Sequence, residues 1–289
     1  MANKFKPQKT QDGSFTFYSD EFDEAFHSSH GAKQEAETKY IQPCLIKEIA
    51  KQQSTIRILD ICYGLGYNSA AAMDAIWAVN PQCYIELIGL EISADVPRAA
   101  VKHQLLNQWR SPIPQLLTQL ADTFEVQGQF LQAKLILGDA RQTIGSIALD
   151  WQADAIFLDP FSPPKCPQLW TVEFIELVAR RLTPTGRLAT YSCAAAVRTA
   201  LSLAGLYFGS IVLGDRNSPG TIASFEYKNI LNLSPSEQEH LKTRAAVPYR
   251  DTNLQNCAAE ILIRRQQEQN NSKFEPTTKW KKRWLLSNM

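Results

Sequence analysis

The chain has 289 residues, 44% of them apolar and 20% charged, with a formal net charge of +1. That composition is too apolar for a disordered chain and large enough to bury a sizeable α/β core, while no apolar run approaches the roughly 20 residues of a membrane helix. The six cysteines are scattered without a CxxC pair, and the N-terminal lysines Lys4 and Lys6 have no apolar block behind them. The expectation is a cytoplasmic protein with reduced thiols, no metal framework and no secretory signal.

In chain order, residues 1–55 read as an N-terminal flap with a helix from about Ala36 to Lys51. From residue 56 short β-rich runs alternate with helical stretches, the pattern of a parallel sheet wrapped by helices. Strands are expected at Ile56–Ile61, Tyr84–Leu90, Lys134–Leu137, Ala155–Leu158 and Leu188–Ser192, with helices near 67–79, 94–108, 168–182 and 194–204. Two further runs, Gly209–Leu213 and Thr221–Tyr227, flank a loop or wide hairpin at Gly214–Gly220, so the last strand should be antiparallel. The core is thus expected over 56–228, followed by a basic C-terminal extension over 229–289. From Leu241 onward ten lysines and arginines face four acids, a local charge of +6. The Gln/Asn-rich patch at 266–271 reads as a mobile connector before the segment that holds Trp280, Lys281, Lys282, Arg283 and Trp284. Such a tail suits a polyanion, or is simply a solvated basic end.

The strongest local signal runs from Ile58 to Asn68, where a strand ends in Asp60, turns at Gly64 and Gly66, and enters a helix near Asn68. Open α/β sheets bind ligands at the carboxyl ends of their strands, and glycines there admit a ligand close to the backbone. A dinucleotide fingerprint would need a third glycine where Ser69 stands, and no Lys-Ser/Thr pair follows for a phosphate loop. Asp60 suits a cationic ligand better than a pyrophosphate. Glu91 closes the next strand, where a carboxylate can accept from both ribose hydroxyls, and Asp139 closes the one after, within reach of an adenine amine. Each acid alone would read as a helix cap. Together with the glycine turn they describe S-adenosylmethionine (SAM) better than a nicotinamide dinucleotide.

The fourth strand runs into Asp159, Pro160 and Phe161, and four prolines within 160–167 stiffen the loop that follows. Asp159-Pro160-Phe161 resembles the acid-Pro-Pro-aromatic motif of amino-group methyltransferases, in which the acid orients the target amine and the ring packs on the base or developing cation. The bland alternative is a surface turn with a capping aspartate. Pro160, Lys165, Trp170 and Tyr191 would then lie near the substrate, Trp170 either stacking on a base or opening a core helix. The four histidines fall outside the strand ends.

Taken in order, Phe22–Phe26, Glu37–Ile41, Tyr63–Asn68, Phe157–Pro163, Trp170-Thr171 and Leu188–Arg198 resemble the methyltransferase module of MnmC, the bifunctional tRNA wobble-uridine enzyme. The likeness covers about residues 15–225. It implies a class I SAM-dependent methyltransferase fold, that is, a Rossmann-like α/β fold with a mostly parallel seven-stranded sheet and an antiparallel last strand. It further implies methyl transfer from SAM to the amine of 5-aminomethyl(-2-thio)uridine at the tRNA wobble position. By the same carry-over Asp159 and Phe161 contact the modified base, while Gly64, Gly66, Asn68, Glu91 and Asp139 bind SAM. Two positions depart from the family pattern: Cys62 replaces a usual glycine, and Pro160 replaces a common glycine of the catalytic loop. Nothing after residue 225 offers a second glycine fingerprint, so SAM is expected without FAD. The expected partner is the tRNA anticodon loop, gripped in part by Lys281, Lys282 and Arg283, with no membrane partner and a monomer sufficient. Three other readings stay open: an N-methyltransferase of proteins or small amines, a spermidine-synthase-like aminopropyltransferase, and a non-catalytic tRNA-binding module.

Overall fold

The computed structural model describes residues 5–212 and 219–287. Four short strands open it: β1 (Gln8–Lys9) pairs with β2 (Phe15–Thr16), and β3 (Tyr18–Ser19) pairs with β4 (Glu24–Ala25), both antiparallel. The helix expected from Ala36 is divided into α1 (Ala32–Ala36), a π-helical turn at Glu37–Ile41 and α2 (Ile46–Gln52). Pro43 has no N–H to offer the carbonyl four residues back, and Leu45 takes a left-handed φ of 56° before α2 starts.

The central sheet holds β5 (Thr55–Ile61), β6 (Tyr84–Glu91), β7 (Glu125–Gln127), β8 (Leu131–Leu137), β9 (Ala153–Leu158), β10 (Leu182–Thr190), β11 (Tyr207–Ile211) and β12 (Gly220–Ser224). Their order is β11-β12-β10-β9-β5-β6-β8-β7. The five strands from β10 to β8 are parallel, and β12 runs antiparallel between β10 and β11, as expected. The eighth strand is the addition: β7 pairs antiparallel with β8 at the edge. Most of the expected hairpin, residues 214–218, lies outside the described residues.

Strand alternation sorts side chains into two cores. Ile56, Ile58, Ile85, Leu87 and Phe157 face one core, with α3 (Tyr67–Val79) and α5 (Ile113–Thr123) over them. Leu59, Ile61, Leu90, Ile156 and Leu158 face the other, under α7 (Val172–Ala179) and α8 (Ala195–Leu203). Asp60 shares parity with Ile56 and Ile58, so its carboxylate is delivered to the buried side beneath α3.

The C-terminal segment is helical where a mobile connector was expected: α9 (Pro235–His240), α10 (Ala258–Asn271) and α11 (Thr277–Ser287). Gln and Glu favour helix, and α10 is fastened by Ile261, which is buried, and by Arg265. That guanidinium lies 4.3 Å from the Tyr249 ring and donates to Val247 O at 2.7 Å. Arg198 of α8, wholly buried, ties α9 to the sheet. It donates to Thr221 Oγ1 and pairs with Glu237 at 2.8 Å. Replacing one member of such a buried pair strands the other. Arg198→Ala is therefore expected to lower stability by about 3 kcal/mol, read from the denaturant midpoint; an unchanged midpoint would show the pair to be dispensable.

Candidate active site

The cradle begins where β5 stops. Cys62, Gly64 and Gly66 take left-handed φ values of 66°, 56° and 81°, and the N–H groups of Cys62 and Tyr63 both donate to Leu90 O on β6 at 3.0 Å. A glycine would adopt the Cys62 conformation at less cost. At Gly66 a side chain is excluded outright, since a Cβ would come within 2.5 Å of the Tyr63 hydroxyl. This turn delivers the N-terminus of α3 to the strand ends.

Asp60 is fully buried. Its Oδ2 accepts from Ser69 Oγ at 2.6 Å, while its Oδ1 has no protein partner. Burial pushes its pKa up to about 7 against the pull of the Ser69 bonds. Glu91, also buried, accepts from Gly64 N–H at 2.8 Å and Ser93 N–H at 3.0 Å; burial raises its pKa and those donors oppose the rise. Beside it Ile92 stands 69% exposed, an apolar surface at a strand end that the sequence reading passed over. Asn68 donates to Asp159 Oδ2 at 2.8 Å and keeps a buried Oδ1 without a protein partner. Two buried acceptors left over at one glycine turn are what a polar, cationic ligand would satisfy.

Asp159 follows β9, its N–H bound to Ile61 O at 3.1 Å. Its side chain is reached by solvent only in part. Asn68 holds one oxygen and the hydroxyl of Tyr40, from the π-helical turn, donates to the other. Surrounding protein raises its pKa well above the carboxylate range, outweighing both donors.

The proline loop is clamped from three sides. Tyr191 donates to Pro160 O at 2.8 Å and Trp170 Nε1 to Phe161 O at 2.8 Å, while Glu24 accepts from Ser162 N–H at 2.8 Å. The Phe161 ring stacks on Phe22 at 4.4 Å and meets Phe26 edge-on at 5.0 Å. Lys165 pairs with Asp23 at 3.0 Å on the surface.

Asp60, Gly64, Gly66, Asn68, Glu91, Asp159, Pro160, Phe161 and Tyr191 thus converge at the carboxyl ends of β5, β6, β9 and β10. Four of the expected site residues make contacts within the protein. Trp170 is wholly buried, which matches the core alternative of the two readings, and its indole holds the loop. Tyr191 likewise spends its hydroxyl on the loop backbone. Asp139 caps α6 (Ala140–Thr143), and its carboxylate is engaged by Arg141 through the backbone N–H, Nε and Nη2, with Nη2 at 2.7 Å. Arg141 also reaches buried Asp251 at 2.9 Å, so Asp139 is part of an internal ion-pair network. Arg283 pairs with Glu239 and Glu275, whereas Lys281 and Lys282 are exposed. Sequence reasoning missed Tyr40 and the loop partners Phe22, Glu24 and Phe26; their segments were flagged only by the resemblance, with no role.

A family model described as S-adenosyl-L-methionine-dependent methyltransferase matches residues 98–223. The crystal structure of MnmC2 from Aquifex aeolicus superposes with a TM-score of 0.82 at 33% identity, over 93% of this chain and 86% of that one. The chain belongs to the MnmC2 family. The class I methyltransferase fold and the use of SAM follow from that membership, and the orphaned Asp60 and Asn68 oxygens fit such a ligand. An uncharacterized protein of Methanocaldococcus jannaschii is 28% identical over 274 residues, 90% of this chain and 71% of its own. The bifunctional tRNA 5-methylaminomethyl-2-thiouridine biosynthesis protein MnmC of Acidovorax is 29% identical over 204 residues, 66% of this chain. This chain spans only 31% of that protein's length. Among the described residues no His/Cys/Asp/Glu group could hold a metal, and no helix is long and apolar enough to cross a membrane.

With its pKa raised, Asp60 is expected to make the binding of a cationic ligand such as SAM pH-dependent. A cation placed beside it favours the carboxylate, so below about 7 binding expels a proton from Asp60. Affinity should therefore rise with pH, by about tenfold per unit at the steepest, and level off above 7. Calorimetry of SAM binding at pH 6 and 8 reads this, and Asp60→Asn should flatten the dependence. An equally steep dependence in that variant would remove Asp60 from the account.

Proposed function

We propose that this MnmC2-family chain transfers the SAM methyl group to the primary amine of the 5-aminomethyl group on the wobble uridine of tRNA, giving the 5-methylaminomethyl form. The observation that carries this reading is the Asp159 carboxylate, held by Tyr40 and Asn68 between the cradle and the Phe22–Phe161–Phe26 ring cluster. The MnmC relatives, named for tRNA 5-methylaminomethyl-2-thiouridine biosynthesis, suggest the nucleoside.

Bound SAM supplies an activated methyl carbon: the amine lone pair forms the N–C bond as the C–S bond breaks and its electrons pass to sulfur. Asp60, Gly64, Gly66, Asn68 and Glu91 hold the donor, with Glu91 toward the ribose and Asp60 toward the amino group. Ile92 offers an apolar face to the adenine. An alkylamine arrives as an ammonium ion, and one proton must leave nitrogen. Asp159, whose pKa is raised by burial, accepts it and passes it to water. The clamped loop and its rings orient the base and exclude water; good positioning is worth about 7–11 kcal/mol. All these groups belong to one chain, so a monomer suffices.

The basic helix α11 supplies the second contact with tRNA. Trp280 stacks on His240 at 4.4 Å and Trp284 Nε1 donates to Glu239 at 2.9 Å, which commits both tryptophans to α9 and turns Lys279, Lys281 and Lys282 outward. Those lysines meet phosphates, not bases.

Labelled SAM incubated with tRNA bearing 5-aminomethyl uridine should yield methylaminomethyl uridine, identified by nucleoside mass. Asp159→Ala should slow the transfer by about 100-fold or more while SAM still binds. Product formation undiminished in that variant would refute the assignment of Asp159. Substituting Lys281→Glu together with Lys282→Glu should lower the salt dependence of tRNA binding by about two phosphate contacts and leave SAM affinity alone. An unaltered salt slope would exclude α11 from the interface.

A further inference from the structure

Tyr40 is wholly buried, yet it is 119 residues from Asp159 in sequence and meets it through its hydroxyl. It sits in the π-helical turn Glu37–Ile41. Such turns insert one residue into a helical register and recur at functional sites. The ring packs edge-on against Phe157 at 5.7 Å. Phe157 and Asp159 lie two residues apart on the same strand end, so one aromatic ring is seated on the strand and aimed at the acid that follows it. Asn68 of α3 holds the other carboxylate oxygen at 2.8 Å. Two donors from two elements therefore leave the Asp159 carboxylate one orientation.

We propose that Tyr40 is a positioning residue for the transfer, its hydroxyl fixing the Asp159 carboxylate in the orientation that meets the incoming amine. This rests on the function proposed above. Burial drives the Tyr40 phenol well above its ordinary pKa, with the Asp159 charge adding to the effect. It is thus a standing donor and takes no part in proton transfer.

The groups facing Asp159 set the pH consequence. Glu35 of α1 and Asp60 of β5 add negative charge that disfavours the carboxylate, whereas the hydroxyl of Tyr40 and the amide of Asn68 favour it. Cys62 and Tyr191, whose own pKa values are raised, face it as neutral groups. Removing the Tyr40 hydroxyl takes away one of the two stabilising donors, so Asp159 should titrate at higher pH. The rise expected for losing a hydrogen bond to a charged group is about 1 to 2 pH units.

Tyr40→Phe keeps the ring in its seat and removes only the hydroxyl; an unchanged SAM affinity will show that the fold and cradle persist. Two readouts follow. The Asp159 carboxyl, observed by carbon NMR of protein with labelled aspartate and assigned with Asp159→Asn, should titrate about 1 to 2 units higher in the variant. The acid limb of kcat/KM for methyl transfer should move upward by the same amount, with activity partly recovered at high pH. An Asp159 titration that does not move, or a fall in kcat/KM that is equal at every pH, would overturn the proposal. The titration needs no tRNA, so it reports on Tyr40 even if the proposed substrate is wrong, while an absence of product from the unsubstituted chain, with the titration shifted as expected in the variant, counts against the substrate.

Discussion

Parallel pairing of β5 with β6 on one side and β9 on the other is the constraint on which the site depends. It brings three strand ends to one edge at the point where the strand order reverses, which is where open α/β sheets leave a crevice. The same ladder sets the details. Leu90 O anchors the glycine turn, and Ile61 O takes the Asp159 N–H, so the cradle and the reactive acid are hydrogen-bonded to neighbouring strands. A slip of one residue in either register would turn Asp60 out of its core and Asp159 away from Asn68.

That geometry concentrates negative charge in a poorly hydrated place. Asp60, Glu91 and Asp159 all have pKa values raised by burial; Glu91 accepts from Gly64 of the glycine turn and Asp60 from Ser69 in the first turn of α3. Unrelieved, such a cluster works against folding. The sulfonium-bearing donor and the ammonium substrate proposed above are the complementary charges. The N-terminal segment supplies the remaining support, because Tyr40, Phe22, Glu24 and Phe26 all reach the acid or its loop. A segment that looks peripheral in sequence is thus part of the wall around the proposed reaction.

Much of this was legible in the chain. Apolar-rich runs such as Ile56–Ile61, interrupted by Arg57 and Asp60, and Ala155–Leu158 mark the central strands, and Asp60 and Asp159 lie at their carboxyl ends. The three-residue β7 was not legible, since Glu125-Val-Gln carries a single apolar residue. Helix α5 was overlooked although Ile113, Leu117, Leu120 and Ala121 repeat at helical spacing and are buried. Composition misled at 266–271, where Arg265 and Gln269 anchor a polar helix through contacts distant in sequence. The same limit explains Trp170 and Tyr40: burial and cross-chain hydrogen bonds belong to tertiary packing, which local pattern does not encode. Asp139 was weighed as a helix cap, and Arg141 two residues on was the visible sign of its ion pair.

The central claim is that Asp159 receives the amine at the mouth of the SAM cradle. A crystal structure of the chain with S-adenosylhomocysteine and an anticodon stem-loop carrying 5-aminomethyl uridine tests it most directly. The account predicts the amine nitrogen within about 3.2 Å of an Asp159 oxygen, facing the sulfur, with the base against Phe161. An amine seated away from Asp159, with its nearest acceptor elsewhere in the crevice, would contradict it.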